Sequence, residues 1–248
     1  YILDHSDAKV LIVDRQFHNV AVNALEQVNR DIIVIDIDDQ QADLENSRSI
    51  GDLEYESFLE TGDHNFQWVR PKDEWQAIGL SYTSGTTGQP KGVVYHHRGS
   101  YLMSMGSVTA WNMTNKLTYL YTVPMFHCNG WGYPWTLAML HAKIIFIRNI
   151  VVKEIFQLIV QYKDTHFGGA PIVLNMIANA PKEEQQEIPN KVYVMTAGAP
   201  PPSSILKKMH SLGFEVMHVY GLTETYGHVV HCAWNETWDS LDQEKQSE

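Results

Sequence analysis

The stretch YTSGTTGQPKG, residues 82–92, follows closely on the apolar segment AIGL, residues 77–80. It combines small hydroxyl residues with three glycines and a single lysine, Lys91. A strand that runs into a glycine-rich loop can direct backbone N–H groups at a phosphate, and the lysine adds a point charge on a long side chain. Additional donors are the hydroxyls of Thr83, Ser84, Thr86 and Thr87. The stretch therefore predicts a loop that binds a polyphosphate anion.

Two other interpretations of this stretch compete with phosphate binding. A Walker A loop has its second glycine five residues after the first, but counting from Gly85 that position is Pro90. The pattern therefore excludes a Walker A loop. A flexible surface turn is the other alternative, because short loops of serine, threonine and glycine are common. The particular order of eleven residues favours a dedicated anion site.

The composition limits the class of protein. The chain has 248 residues, 44% of them hydrophobic, which is enough for a substantial core in one large domain or two small ones. The net charge of −11 argues against non-specific binding to nucleic acids or anionic membranes. No run approaches the roughly 18 apolar residues of a membrane-spanning helix. The two cysteines, Cys128 and Cys232, form no CxxC pair, so no disulfide framework is predicted and a reducing, intracellular compartment is favoured.

Short β-branched runs alternate with helical patterns along the chain. VLIVD, residues 10–14, and DIIVIDID, residues 31–38, predict buried strands. The helix predicted between them places Val20, Ala24 and Val28 on one face. Together these segments predict a βαβ unit and hence a parallel sheet.

The same patterns predict further elements downstream. The predicted strands are AIGLSYT, LTYLYTVPMF, KIIFIR, KVYVMTAG and EVMHVYG. The predicted helices are residues 100–111, 153–163, 171–179 and 203–212, the last with a serine as N-cap and Gly213 at its end. Residues 46–67 are polar and predict a connecting loop with a short helical turn. Because no linker-like composition interrupts the chain, the sequence predicts one large α/β domain.

Four motifs follow one another in a recognisable order. YTSGTTGQPKG is followed by PMFHCNGW at residues 124–131, TAGAPPP at residues 196–202 and YGLTETYG at residues 220–227. In this order they resemble the adenylate-forming superfamily, which includes acyl-CoA synthetases, firefly luciferase and the adenylation domains of non-ribosomal peptide synthetases. The segments VVYHHRGSY and CAWNETWDSL are most similar to plant acyl-activating enzymes. The resemblance spans almost the whole chain.

The resemblance implies both a fold and a reaction. Residues 1–248 would form part of the large N-terminal AMP-binding domain, an α/β fold of mostly parallel sheets flanked by helices. The first part of that domain and the small C-terminal domain with its catalytic lysine are expected outside this chain, so the chain alone is expected to be inactive. The implied reaction is ATP-dependent ligation of a carboxylic acid to coenzyme A. Acyl-AMP and pyrophosphate form first, with Mg²⁺ accompanying ATP, and the thiol of coenzyme A then displaces AMP.

The resemblance also assigns roles to individual residues. The loop that closes on the β- and γ-phosphates would consist of Thr83, Ser84, Gly85, Thr86, Thr87, Gly88 and Lys91. In the motif YGLTE, Tyr220 would stack on adenine with Gly221 in the same nucleotide site. Thr223 would contact the α-phosphate, and Glu224 would hold Mg²⁺. The loop along adenine and the acyl pocket would consist of Gly198, Ala199 and Pro200. His127 would border the acyl site, which makes the implied catalytic set Lys91, Thr223, Glu224 and His127.

Structural interpretations of these residues stay open at this point. Taken alone, Glu224 could be a solvated surface carboxylate. Packing in the core is the corresponding alternative for Tyr220, His127 and Trp131. A covalent nucleophile is not predicted at Cys128, because nothing in the sequence pairs it with a base.

Two further features of the sequence bear on the site. His96 and His97 are adjacent, and neighbouring side chains on a helix diverge by about 100°, which suits a helix start better than a metal site. Gly169 stands in the segment HFGGAP, residues 166–171, where a larger residue is common in relatives. If Gly169 faced the acyl pocket, that pocket would be roomier.

Two other functions compete with an acid:CoA ligase. An adenylation domain could deliver the acyl group to a carrier protein, or a nucleotide-binding homologue could keep the fold without catalysis. The intact Lys91, Thr223 and Glu224 favour catalysis. The expected partners are a small carboxylic acid, ATP and coenzyme A, with no nucleic acid and no integral membrane segment. The cytosol and the peroxisome are both expected compartments, and the sequence specifies neither the acid nor the oligomeric state.

Overall fold

The computed structural model describes residues 1–42, 48–84, 88–242 and 245–246. The chain divides into two compact units, Tyr1–Pro71 and Lys72–Glu248. Each unit contains a parallel sheet with helices packed against it, so the predicted α/β class with mostly parallel sheets is confirmed. None of the helices that the structure describes has both the length and the apolar character needed to span a bilayer.

The described residues of the first unit form six short helices and strands, besides the 3-10 turn Arg15–Phe17. They are α1 (Ile2–His5), β1 (Val10–Asp14), α2 (His18–Leu25), β2 (Ile33–Ile37), β3 (Leu53–Glu54) and α3 (Tyr55–Glu60). The three strands form a parallel sheet in the order β1-β2-β3. The predicted βαβ unit is therefore confirmed.

Two details of the first unit differ from the prediction. Val20 is 69% exposed, whereas Ala21 is buried with Val13 and Val34, so the predicted buried face of α2 is wrong. The small Ala21 side chain permits close packing on the sheet, and the helical period then turns Val20 about 100° away. The segment predicted as a loop contains β3 and α3, and its first residues, 46–47, lie outside the described part of the chain.

The second unit contains a hairpin and a six-stranded sheet. The hairpin strands are β4 (Ala77–Thr83) and β5 (Lys91–His96), which are antiparallel. The sheet strands are β6 (Thr118–Tyr121), β7 (Lys143–Phe146), β8 (His166–Gly168), β9 (Val192–Thr196), β10 (Phe214–Leu222) and β11 (Gly227–His231). Their order is β11-β10-β9-β8-β6-β7, with β10 and β11 antiparallel and the other neighbours parallel. Each predicted strand is present, whereas β5, β8 and β11 were not predicted.

Helices cover both faces of this sheet. The helices of this unit are α4 (His97–Ala110), α6 (Tyr133–Leu140), α7 (Val152–Tyr162), α8 (Pro171–Ala178) and α9 (Ser203–Ser211), and the short segment α5 (Cys128–Trp131) is a left-handed turn. On one face α7 and α8 bury Ile155 and Leu174 against Leu120, and on the other face α6 buries Tyr133 against Tyr119. Because Tyr119 and Leu120 are successive residues of β6, the alternation of a strand sends them to opposite faces. The sheet is thus the centre of a three-layer arrangement.

The four predicted helices are present, with ends within one residue of the prediction except that α4 begins at His97 rather than at residue 100. Pro202 occupies the N-cap of α9 and Ser203 is its first helical residue, so the predicted serine N-cap is wrong. No side-chain hydrogen bond caps this end. Gly213 has a φ of 95° just after the helix, the left-handed conformation that ends many helices, as predicted.

Candidate active site at the carboxyl edge of the sheet

Three of the four motifs lie at one edge of the six-stranded sheet. PMFHCNGW follows β6, TAGAPPP begins at the end of β9, and YGLTETYG spans the end of β10. Because β6, β8, β9 and β10 run parallel, their carboxyl ends share this edge. In open α/β sheets, ligands bind outside the carboxyl ends of the strands. The fourth motif lies on the hairpin, which is hydrogen-bonded to the same edge through Tyr95.

The hairpin brings the two ends of the glycine-rich stretch side by side. Thr83 on β4 is paired with Lys91 on β5, and the Lys91 side chain is exposed. Gly88 has a φ of 95°, a conformation that favours glycine. Ser84 is exposed directly after β4, while Gly85, Thr86 and Thr87 lie outside the described residues. The strand predicted before the stretch is present as β4, and β5 lies between the stretch and the helix α4.

Thr223 and Glu224 lie on a 3-10 turn, Thr223–Thr225, immediately after β10. The Thr225 hydroxyl accepts a hydrogen bond from the Leu222 N–H at 2.9 Å and lies 2.7 Å from the Gly227 carbonyl oxygen. These contacts fix the turn at both ends. Glu224, in the middle of the turn, presents an exposed carboxylate, and Thr223 is half-buried. We call this segment the Thr223 turn.

An irregularity in the pairing of β10 with β11 determines the positions of Tyr220 and the Thr223 turn. The register shifts between Tyr220 and Gly221. A Cβ atom on Gly221 would lie 1.8 Å from the Gly227 carbonyl oxygen, so only glycine permits this close approach. Tyr220 is 58% exposed, which rules out the alternative that it is a core residue. Its ring is available to a flat ligand group, as the predicted role requires.

Tyr95 on β5 joins the hairpin to the Thr223 turn. Its hydroxyl donates a hydrogen bond of 2.7 Å to the carbonyl oxygen of Thr223. The Tyr95 ring lies 4.0 Å from the ring of Tyr226, whose hydroxyl accepts a hydrogen bond of 2.6 Å from the Trp135 indole N–H. Burial raises the pKa of Tyr95 well above its usual range, so its hydroxyl stays protonated and remains a donor. Nothing in the sequence pattern pointed to this residue.

A left-handed turn lies between the hairpin and the Thr223 turn. The five successive residues 128–132 all have positive φ, between 44° and 73°. The Trp131 N–H donates to the His127 carbonyl at 3.0 Å, which closes the turn. A Cβ on Gly130 would lie 2.0 Å from the Tyr121 hydroxyl, which donates to the Gly130 carbonyl at 3.1 Å. Runs of left-handed residues are costly and are concentrated at functional sites.

The side chains of this left-handed turn point in different directions. His127, just before it, is exposed, so the alternative of a packed core histidine is wrong. Trp131 is half-buried and packs against the core beside Tyr133, so for Trp131 the core interpretation holds. Cys128 lies with its Sγ 3.8 Å from the Leu222 carbonyl oxygen, and burial raises the pKa of its thiol. A protonated thiol is a poor nucleophile, which agrees with the absence of a predicted covalent role.

The remaining predicted residues also lie at this edge. Gly198, Ala199 and Pro200 are exposed directly after β9. Gly198 has a φ of 94° and open space where a Cβ would stand, so its backbone conformation is the reason for glycine. Gly169 is buried, and a Cβ there would lie 3.2 Å from Leu174 of α8. Gly169 therefore faces a helix rather than a pocket, and the suggestion of a roomier acyl site is wrong.

His96 has a structural role at the start of α4. It occupies the N-cap, and its Nδ1 accepts a hydrogen bond of 3.0 Å from the Gly99 N–H. Its ring also lies 4.6 Å from the ring of Trp75. The prediction that the two adjacent histidines mark a helix start is confirmed.

Comparison with known proteins identifies relatives over the full length of the chain. A family profile described as AMP-binding enzyme matches residues 1–247. The chain is 47% identical to the peroxisomal acetate/butyrate–CoA ligase AAE7 of Arabidopsis thaliana, over 100% of this chain and 45% of that protein. It is 46% identical to the acetate–CoA ligase CCL3 of Humulus lupulus, over the same shares. The chain thus spans less than half the length of these relatives, and the predicted similarity to plant acyl-activating enzymes is confirmed.

A solved structure supports the fold. The N-terminal domain of FACL13 from Mycobacterium tuberculosis matches 94% of this chain and 55% of its own chain, with a TM-score of 0.77 and 21% identity. At that identity the likeness concerns the fold alone, and it agrees with the α/β architecture of the large adenylate-forming domain. Since the family profile covers nearly every residue, the chain belongs to the AMP-binding enzyme family.

Proposed function

We propose that the full-length protein containing this chain is an ATP-dependent carboxylic acid:CoA ligase. It would join a small carboxylic acid to AMP with release of pyrophosphate, and would then transfer the acyl group to coenzyme A. The observation that carries this proposal is the hydrogen bond from Tyr95 to the Thr223 carbonyl. It connects the hairpin of the phosphate-loop motif to the turn that presents Glu224, in a chain whose relatives are named CoA ligases.

The residues of the hairpin suit the triphosphate of ATP. The exposed Lys91 ammonium and the hydroxyls beside it are donors that would stabilise charge accumulating on the departing pyrophosphate. Thr223 would place its hydroxyl at the α-phosphate, where the carboxylate of the substrate attacks. These roles of Lys91 and Thr223 rest on the family resemblance, and the geometry of the hairpin and the turn is compatible with them.

The Thr223 turn also offers a ligand for the magnesium ion that accompanies ATP. Glu224 presents an exposed carboxylate, and hard divalent cations prefer oxygen ligands shared between one or two carboxylates, water and phosphate. A magnesium ion bound there would neutralise phosphate charge. Glu224 would hold that ion against the phosphates of the substrate.

The acid and the compartment follow from the relatives as proposals. One relative is named for acetate and butyrate and another for acetate, so a short-chain acid is the proposed substrate. His127, exposed beyond β6, would border the acyl group, and Gly198, Ala199 and Pro200 would lie along it and the adenine. One of these relatives is named peroxisomal, and the cytosol and the peroxisome both remain predicted compartments. Residues 1–248 would form part of the AMP-binding domain.

Product analysis with the full-length protein tests the proposal. The protein is incubated with Mg·ATP, coenzyme A and, separately, acetate, butyrate, 2-methylpropanoate and benzoate, and acyl-CoA and AMP are measured by mass spectrometry. We expect equal amounts of acyl-CoA and AMP with at least one short-chain acid. Acyl-AMP that transfers to the pantetheine thiol of a carrier protein but not to coenzyme A would favour the carrier alternative. Binding of ATP without any acyl-AMP would favour a non-catalytic homologue.

A further inference from the structure

We propose that Tyr95 is a positioning residue that holds the Thr223 turn at a fixed distance from Lys91 through its hydroxyl group. The inference rests on the proposed function, because it concerns the residues that would contact Mg·ATP. Tyr95 itself lies behind the turn, with 4% of its surface exposed, and would touch neither ATP nor the acid. It acts on the reaction through the backbone of Thr223.

The position of Tyr95 on β5 makes it suited to this task. Lys91 is the first residue of β5 and Tyr95 is the fifth, so both side chains project from the same face of the strand. A strand rises about 3.3 Å per residue, which separates the two Cα atoms by about 13 Å. A single rigid strand therefore carries the lysine at one end and the anchor of the Thr223 turn at the other.

The acceptor of the Tyr95 hydroxyl is a backbone atom. The Thr223 carbonyl oxygen receives the Tyr95 hydroxyl at 2.7 Å and the Tyr226 N–H at 3.1 Å. The first contact orients the peptide group between Thr223 and Glu224, and the second closes the turn. Fixing that peptide group limits where the Thr223 hydroxyl and the Glu224 carboxylate can point.

Aromatic and sulfur-containing side chains surround Tyr95, which is buried. The ring of Tyr226 lies 4.0 Å away, and Trp135 of α6 in turn donates to the Tyr226 hydroxyl. Cys128 approaches the turn from the other side, with its Sγ 4.0 Å from the Thr223 hydroxyl oxygen. A buried donor or acceptor without a partner is costly, so loss of the Tyr95 hydroxyl leaves the Thr223 carbonyl under-satisfied. The aromatic ring alone would fill the space without orienting the turn.

Two substitutions separate positioning from packing. Tyr95→Phe keeps the ring and removes the hydroxyl, whereas Tyr95→Leu removes both. In acid-dependent ATP–pyrophosphate exchange by the full-length protein, we expect Tyr95→Phe to lower kcat/KM for Mg·ATP by about 3- to 10-fold. The KM for the acid should stay within about 2-fold of wild type. We expect Tyr95→Leu to lower the thermal midpoint strongly as well. Tyr95→Phe should lower it only by the loss of one hydrogen bond, and should leave kcat/KM below the wild-type value.

Tyr101→Phe is the matched control. Tyr101 is 62% exposed on α4, so loss of its hydroxyl should change neither kcat/KM nor the thermal midpoint. If Tyr95→Phe restores both quantities to the wild-type values, the residue only packs and the positioning proposal is wrong. If the KM values for Mg·ATP and for the acid change equally in Tyr95→Phe, the substitution disturbs the whole site rather than the Thr223 turn, and the proposal is also wrong.

Hydrogen–deuterium exchange of the full-length protein provides a readout that does not depend on catalysis. We expect Tyr95→Phe, but not Tyr101→Phe, to accelerate exchange in peptides that cover residues 222–227. Unchanged exchange there would overturn the proposal even if activity fell. A wild-type protein that shows no acid-dependent exchange of pyrophosphate would count against the proposed function alone, because the amide measurement would still test whether Tyr95 holds the turn.

Discussion

At the amino end of the six-stranded sheet several polar groups are buried and hydrogen-bonded to one another, whereas at the carboxyl end several polar side chains are exposed. Thr118 and Thr165 at the amino end are joined by two side-chain hydrogen bonds of 3.1 and 3.3 Å and one backbone bond of 2.9 Å. Asn190 donates to the Asp164 carbonyl at 3.0 Å. His166 is buried against the rings of Trp111 and Tyr193.

The carboxyl end has the opposite character. His127, Gly198, Tyr220 and Glu224 are exposed there. The backbone beside them adopts uncommon conformations, including the left-handed residues 128–132. Buried polar groups that bond to each other specify packing, while exposed ones on a constrained backbone are free to bind a ligand. Under the proposed function, the same strands would support packing at one end and ligand binding at the other.

Burial favours the uncharged forms of two titratable groups at the amino end, Asp164 and His166. Burial raises the pKa of Asp164 to about 7, with the nearby Lys143 acting in the opposite direction. Burial lowers the pKa of His166 to about 4. Near pH 6, roughly midway between these values, the folded protein therefore holds both side chains mostly neutral.

The largest expected effect is at Lys91. Lys91→Ala in the full-length protein should slow acid-dependent ATP–pyrophosphate exchange by about 100- to 1,000-fold, as expected when one group that stabilises transition-state charge is removed. Binding of the acid should change little. The matched control is Lys116→Ala, an exposed lysine just before β6 at the amino end, which should exchange at the wild-type rate. Equal rates for the two variants would remove Lys91 from its assigned role.

The next effect concerns two glycines at opposite ends of β10. Gly221→Ala would push a Cβ into the Gly227 carbonyl and should destabilise the protein by about 3 kcal/mol. Gly213→Ala meets no atom closer than 3.8 Å and carries only the cost of a left-handed residue, about 1 kcal/mol. Thermal midpoints of both variants measure the difference. A smaller shift for Gly221→Ala than for Gly213→Ala would mean that the close approach to Gly227 is not maintained.

A smaller effect, on the Mg²⁺ requirement, is expected for Glu224 at the carboxyl end, with Glu215 at the amino end as its control. Glu224→Ala should raise the Mg²⁺ concentration needed for half-maximal exchange by about 10-fold, because a metal ligand is lost. Glu215→Ala removes an exposed ion pair with Lys191, 2.6 Å long, and should leave the Mg²⁺ titration unchanged. Superimposable Mg²⁺ titrations for Glu224→Ala and wild type would show that Glu224 is not a magnesium ligand.

The last prediction is a pH dependence of stability at the amino end. The pKa of Asp164 is raised on folding, so the folded protein holds this proton more tightly than the unfolded chain does. The contribution of this proton to the free energy of unfolding is complete below the unfolded pKa of 3.8 and is lost as the pH rises towards about 7. Because asparagine does not titrate, Asp164→Asn removes this loss of stability at higher pH. The stability of the variant relative to wild type should therefore rise with pH, by at most about 1.4 kcal/mol per pH unit. Thermal midpoints from pH 4.5 to 7.5 (about the span of the titration) measure it, and a constant difference between the two proteins would contradict the assignment.

Much of the fold followed from patterns in the sequence. β1, β2 and β9 are rich in β-branched residues and were predicted, because such residues favour strands. β8 was missed because its three residues, HFG, carry no alternation. β5 was missed because glycine and lysine begin it. Strand order was also beyond the sequence, since it depends on contacts between distant segments.

The site was predicted unevenly for a related reason. Motif residues such as Lys91, Thr223 and Glu224 stand in recognisable local patterns. Tyr95 was not predicted, because its partner Thr223 lies 128 residues away in the chain. The left-handed turn after His127 was not predicted either, since Cys128 and Trp131 rarely adopt positive φ and the surrounding contacts impose it.

The most direct test of the central claim is acid-dependent ATP–pyrophosphate exchange by the wild-type full-length protein, across short-chain, medium-chain and aromatic acids. The claim is that the carboxyl edge and the hairpin together form a site for acyl-adenylate formation. It predicts exchange that requires an acid, ATP and Mg²⁺ together, with a short-chain acid preferred. Well-folded protein that binds ATP yet shows no exchange with any of these acids would contradict it.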